Sequence, residues 1–128
     1  MIKSQFTLYL ENRPGVLAAV AGKLAKAKVN IEGISAATSS DVGIVQLIVS
    51  SAAAASKVLD KAKIAYTTQK VAVLPLKNKP GELARLAGRL GRQGVNLNYL
   101  YGTACESGAE SMLVVSAEDL KKLERAWK

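Results

Sequence analysis

The segment Asn12-Arg13-Pro14-Gly15-Val16-Leu17 occurs twice, for sixty-six residues later the chain reads Asn78-Lys79-Pro80-Gly81-Glu82-Leu83. The register holds through Leu24 and Leu90 to Val29-Asn30-Ile31 and Val95-Asn96-Leu97, and ten of the twenty positions from 12 to 31 are identical at this offset. A repeat at a fixed period means one supersecondary unit used twice, so whatever fold is assigned must suit both halves. The 128 residues then divide into two small units, 1–69 and 70–128.

The order of elements follows from hydrophobic spacing. Phe6, Leu8 and Leu10 alternate with Gln5, Thr7 and Tyr9, the mark of a half-buried strand over 2–10. Pro14 suits a first helical position, and Leu17, Val20, Ala21 and Leu24 recur at helical spacing, which predicts a helix over 14–27. Strands over 29–38 and 43–50 and an alanine-rich helix over 51–62 complete a βαββα run. Residues 64–77 have strand composition with no glycine break, so the last strand of the first unit should pass almost directly into the first strand of the second. The second half then predicts a helix over 80–93, strands over 95–104 and 109–116, and a helix over 117–127. The fold class is α+β: two tandem ferredoxin-like βαββαβ units, each an antiparallel sheet with helices on one face. The second unit lacks its last strand, which leaves a sheet edge to be covered, most simply by another copy of the chain.

Composition excludes several classes of function. There is no histidine, so the commonest general base and metal ligand are missing, and Cys105 has no second cysteine with which to pair. No motif brings carboxylates together, so no catalytic residue, metal or cofactor is expected and the chain does not read as an enzyme. No apolar run is long enough for a membrane span, and no signal sequence is apparent, which makes the cytoplasm the expected location. The net charge of +8 is spread along the sequence. Arg85, Arg89 and Arg92 form a basic stripe, but the candidate central strands offer only Tyr9 for base stacking, so a nucleic-acid partner is not expected.

The repeated loop is the candidate site. A strand that ends in Asn and enters a helix at Pro-Gly leaves first-turn N–H groups facing outward, ready for a carboxylate. Gly15 and Gly81 would let a ligand approach without a Cβ in the way. Asn12 and Asn78 present an amide that both donates and accepts, suited to the paired carboxylate and ammonium of an amino acid. Asn30 and Asn96 open the strand after each helix, where Asn fits either a turn or a ligand contact.

This pattern resembles the ACT domain, the small regulatory module that binds amino acids in enzymes of amino-acid metabolism. The resemblance implies units paired through their second strands, with ligand between one unit's Pro-Gly loop and the other unit's second strand. Carried over, Asn12, Gly15, Val16 and Leu17 would face Asn96 and Leu97, and Asn78, Gly81 and Leu83 would face Asn30 and Ile31. Glu82 departs from Val16 and would set a like charge against a ligand carboxylate unless it points away. Lys28 stands where the second half has Gly94, at a position that calls for a left-handed backbone. The resemblance implies a stand-alone allosteric sensor of a free amino acid, acting as a homodimer. The alternative is a regulatory subunit docking on an amino-acid biosynthetic enzyme through the open sheet edge.

Overall fold

The structure, a computed structural model, describes residues 1–103 and 107–127; Cys105 lies outside the described residues. Ten elements follow in the order β1 (Ile2–Glu11), α1 (Val16–Lys26), β2 (Ile31–Ser39), β3 (Val42–Val49), α2 (Ala52–Lys61), β4 (Ala65–Lys77), α3 (Glu82–Arg92), β5 (Leu97–Gly102), β6 (Glu110–Ala117) and α4 (Leu120–Trp127). They form two compact units, Ser4–Gln69 and Lys70–Lys128, the latter together with Met1–Lys3.

In the unit Ser4–Gln69 the strands run β2-β3-β1-β4, the order of a ferredoxin-like sheet. Antiparallel pairing sets Phe6 and Ile34 opposite Leu47 from either side. The alternation along β1 puts Phe6, Leu8 and Leu10 on the face that receives Val20 and Leu24 of α1 and Ala55 and Leu59 of α2. Leu8, Leu24 and Leu59 are wholly buried, and each such side chain contributes about 1.5–3 kcal/mol. The other face of β1 carries Gln5 and Thr7, also buried, and both bond to Gln69 of β4. The Thr7 hydroxyl donates to Gln69 Oε1 at 2.6 Å, and the Gln5 amide reaches the same oxygen at 3.3 Å. Two buried polar groups are thereby satisfied by one side chain.

In the second unit β6 lies between β4 and β5. Ala72, Leu74, Leu113 and Val115 face Leu86 and Leu90 of α3 and Leu123 and Ala126 of α4. No fourth strand follows α4 among the described residues. Along the bare edge expected on β4, Val73 is met by Met1 of the same chain. The Val73 N–H donates to the Met1 carbonyl at 2.7 Å, and the Met1 ammonium donates back to Val73 O at 3.3 Å. That ammonium also lies 3.5 Å from Glu124 of α4.

Some boundaries differ from those expected, for local reasons. The helices begin at Val16 and Glu82, two residues after the prolines, because Gly15 and Gly81 are caps in a left-handed conformation rather than helical residues. Residues 65–77 are one continuous strand, since nothing in Gln69-Lys70-Val71 interrupts β conformation. Strand β5 starts at Leu97 rather than 95, and α4 starts at Leu120 rather than 117, where the Asp119 side chain accepts from the Lys122 N–H. No helix among the described residues is long and apolar enough to cross a membrane.

Candidate functional site

The two Pro-Gly loops share their main backbone bonds. Asn12 N–H donates to Asp41 O and Asn78 N–H to Ala109 O, both at 2.8 Å, so each loop is tied to the hairpin between the second and third strands of its own unit. Arg13 N–H donates to Glu11 O and Lys79 N–H to Lys77 O, both at 3.0 Å. Gly15 has φ 88° and ψ −14°, and Gly81 has φ 87° and ψ −14°. A Cβ built on either glycine would meet nothing within 4 Å. Within the protein, the requirement for glycine is therefore conformational, since no neighbouring protein atom would meet a Cβ there.

Neither of these helices has a side-chain cap, whereas Ser51 caps α2 by accepting from the Ala54 N–H at 3.2 Å. A glycine cap offers no side-chain oxygen, and only the first amide of each helix turns back, Val16 N–H to Arg13 O at 3.5 Å and Glu82 N–H to Lys79 O at 3.4 Å, which leaves the next two amides at the positive end of the helix dipole. Beside the first loop lies a cavity of ≈ 400 Å³ walled by Leu10, Leu17, Ala36 and Val45, with Asn12, Arg13 and Thr38 at its polar side. Leu17 is 43% exposed and turns one side to this cavity. The Asn12 side-chain amide donates to Ser40 O at 3.4 Å, a long bond. Arg13, missing from the sequence-based set, lines the cavity, and its Nε bonds Glu11 Oε2 at 2.6 Å.

The second loop has the same backbone and a different occupant. Glu82 stands in the place of Val16, and Arg85 donates to it from Nη2 at 3.0 Å and from Nε at 3.4 Å. Lys79 lies 4.0 Å away. The hydrogen bond from Arg85 holds the Glu82 carboxyl below its ordinary pKa, against a smaller opposing effect of desolvation, and Glu82 raises Arg85 in return. A carboxylate of the chain itself thus sits at this helix N-terminus, where the dipole favours it. The adjoining cavity, ≈ 300 Å³, is lined by Lys77, Lys79, Glu82, Arg85, Glu110 and Trp127 among others. Leu83 is 49% exposed, like its counterpart Leu17.

The remaining expected residues lie elsewhere in each unit. Asn30 and Ile31 follow the opposite end of α1, about 16 Å from the loop for eleven residues at 1.5 Å rise. The Asn30 backbone is paired with Ser50, its N–H donating to Ser50 Oγ and its carbonyl accepting from the Ser50 N–H, both at 2.9 Å. Asn96 and Leu97 stand at the matching place after α3, where Asn96 borders a small cavity with Glu118, Asp119 and Lys122. The pairing register shifts between Ile31 and Gly33, and again between Leu97 and Tyr99, so each second strand opens on a bulge. Lys28 takes the left-handed conformation with φ 59°, matching Gly94 with φ 71°. The Val29 N–H then reaches Leu24 O, and Val95 N–H reaches Leu90 O, both at 2.9 Å, which closes each helix.

Comparison with known proteins agrees with this geometry. The family model described as "ACT domain pair" matches residues 1–126. The crystal structure of protein BT0572 from Bacteroides thetaiotaomicron is 30% identical and superposes with a TM-score of 0.90 over 98% of this chain and 86% of that one. The regulatory subunit of aspartate kinase from Thermus thermophilus, in its ligand-free form, matches over 100% of this chain and 98% of that one, at 15% identity and TM-score 0.66. Aspartokinase III of E. coli, in complex with lysine and aspartate, matches over 98% of this chain and 31% of that one, at 18% identity and TM-score 0.55. These last two likenesses show the fold alone. No curated protein matches the chain in sequence.

Proposed function

The chain belongs to the family of paired ACT domains, a regulatory family rather than a catalytic one, and from that premise we propose that it senses a free α-amino acid through the loop Asn12–Leu17. One observation carries this reading: two helices with the same uncapped glycine start, of which only one has its own carboxylate already in place. At α1 the ligand carboxylate takes the position that Glu82 takes at α3. It accepts from first-turn amides at the positive end of the helix, a contribution of about 0.3–1 kcal/mol from the dipole and more when partly buried. The ligand side chain lies along Leu10, Leu17 and Val45, whose apolar wall suits an aliphatic or small side chain. Asn12 and Thr38 are placed for the ammonium.

A second copy closes the site in this reading, so that the protein acts as a homodimer. Both second strands end their sheets, and each carries an aliphatic side chain on its helix side with little to cover it: Ile34 is 46% exposed and Leu100 38%. Edge strands with exposed aliphatics favour pairing with another chain. Binding energy that differs between two pairings of the units is what lets the ligand act as a signal.

Isothermal calorimetry with each of the twenty amino acids tests the proposal. One or a few should bind between micromolar and millimolar, roughly 4–8 kcal/mol. The double variant Val16→Glu/Ala19→Arg copies the ion pair of the second loop into the first; it should fold and bind none of them. Binding that survives this change would place the ligand elsewhere.

A further inference from the structure

A cavity lies between the C-terminal ends of α1 and α2, lined from both helices. It measures ≈ 490 Å³ and has a floor of Ala27, Val58 and Ala62 under a rim of Lys23, Lys26 and Lys61. A second depression of ≈ 330 Å³ shares Lys23 and Ala62 with it and continues along α1 past Ala19 and Ile64 to Arg13 and Gly15. The two form one groove about as long as α1, roughly 16 Å at 1.5 Å per residue. The lysines of its rim face no acid: no carboxylate lines either depression, and among the described residues none pairs with Lys23, Lys26 or Lys61. Asp60, beside Lys61 in sequence, is engaged by the Tyr66 hydroxyl at 2.8 Å. Lysines in a last helical turn are favoured by the dipole, which explains their presence singly. It does not explain why two helices converge them over an alanine-floored trough.

We propose that this groove docks an acidic segment of a partner protein, about five residues in extended conformation with an aliphatic side chain set between Ala27, Val58 and Ala62. Five extended residues span about 16 Å, which matches the groove. Charge complementarity selects the acidic residues, and the apolar floor selects the aliphatic one. The lysine stems can lie along that side chain while their ammonium groups reach the carboxylates. A nucleic acid fits less well, because the groove has no aromatic side chain for stacking and only Arg13, already bonded to Glu11, for a bidentate phosphate contact. The groove supplies the partner-facing half of a regulatory protein, and it does not depend on the loop binding an amino acid.

The test titrates the full ¹⁵N-labelled chain with a capped Asp-Glu-Leu-Glu-Asp peptide, a capped Lys-Arg-Leu-Arg-Lys peptide and a single-stranded RNA oligonucleotide, each to about 1 mM. The acidic peptide should shift amides of Lys23, Lys26, Ala27, Lys61 and Ala62, with affinity falling as salt rises, and the basic peptide should shift none of them. The charge-reversed variant Lys23→Glu/Lys26→Glu/Lys61→Glu, checked for folding by circular dichroism, should bind the acidic peptide at least tenfold more weakly. The milder variant Lys23→Gln/Lys61→Gln should fall between. Absence of shifts with the acidic peptide, shifts that charge reversal leaves unchanged, or shifts produced by the RNA alone would overturn the proposal. Loss of amino-acid binding at the loop leaves all these outcomes intact, so the two readings fail separately.

Discussion

Replacing Gly15 by alanine isolates the feature on which the repeated loop depends. At φ 88° an L-residue is strained by about 1–2 kcal/mol, and an added Cβ meets nothing within 4 Å, so no clash adds to this. Seven residues on, Gly22 lies inside α1, and a Cβ there also meets nothing within 4 Å. Alanine at Gly22 should stabilise by about 0.5–1 kcal/mol through helix propensity and a less mobile unfolded chain. For 128 residues the unfolding entropy is about 270 cal/mol/K at 2.1 per residue. Gly15→Ala should therefore lower Tm by about 4–7 °C and Gly22→Ala raise it by about 2–4 °C. Differential scanning calorimetry of the two variants, chemically the same substitution in one helix, reads the difference in sign. Equal shifts, or a Gly15→Ala variant as stable as the parent, would refute the argument that a left-handed cap opens this helix.

Other substitutions probe the rest of the framework. Lys28→Gly removes left-handed strain at φ 59° and should stabilise by roughly 0.5–1 kcal/mol, read as a rise in Tm, provided the closing bond from Val29 to Leu24 is kept. Gln69→Ala strips the shared acceptor from buried Gln5 and Thr7 and should cost about 1–3 kcal/mol by urea denaturation. Because Arg85 depresses the Glu82 carboxyl in the folded chain, its contribution is present above the ordinary carboxylate pKa and is lost as pH falls through the lowered value. Glu82→Gln should flatten the acid limb of the stability–pH curve below about pH 4.5 and leave neutral pH little changed, since the pair is on the surface.

Much of the framework was legible because local and tertiary requirements coincide in it. The sixty-six-residue repeat reappears as two loops with matching hydrogen bonds and as bulges at matching places in β2 and β5. The helical spacing of Leu17, Val20, Ala21 and Leu24 puts them along one side of α1, where Val20 and Leu24 are buried and Leu17 lies at the mouth of a cavity. Periodicity reports the face of a helix and says nothing of whether its first turn projects beyond the core. The left-handed conformation of Gly15 and Gly81 was not read from the sequence, which marks where glycine is needed and not which backbone angle it takes. The Glu82–Arg85 pair was readable from its i, i+3 spacing. The contact between Met1 and Val73 was not, since strand pairing across seventy-two residues leaves no local trace.

The central claim concerns the amides that open α1. Titrating the ¹⁵N-labelled chain with the amino acid that calorimetry selects should shift Leu17 and Ala18 downfield and saturably, as a carboxylate accepts from their N–H groups, while Leu83 and Ala84 stay in place behind Glu82. Saturable shifts at Leu83 and Ala84 with none at Leu17 and Ala18, or no amino acid moving either pair, would contradict it.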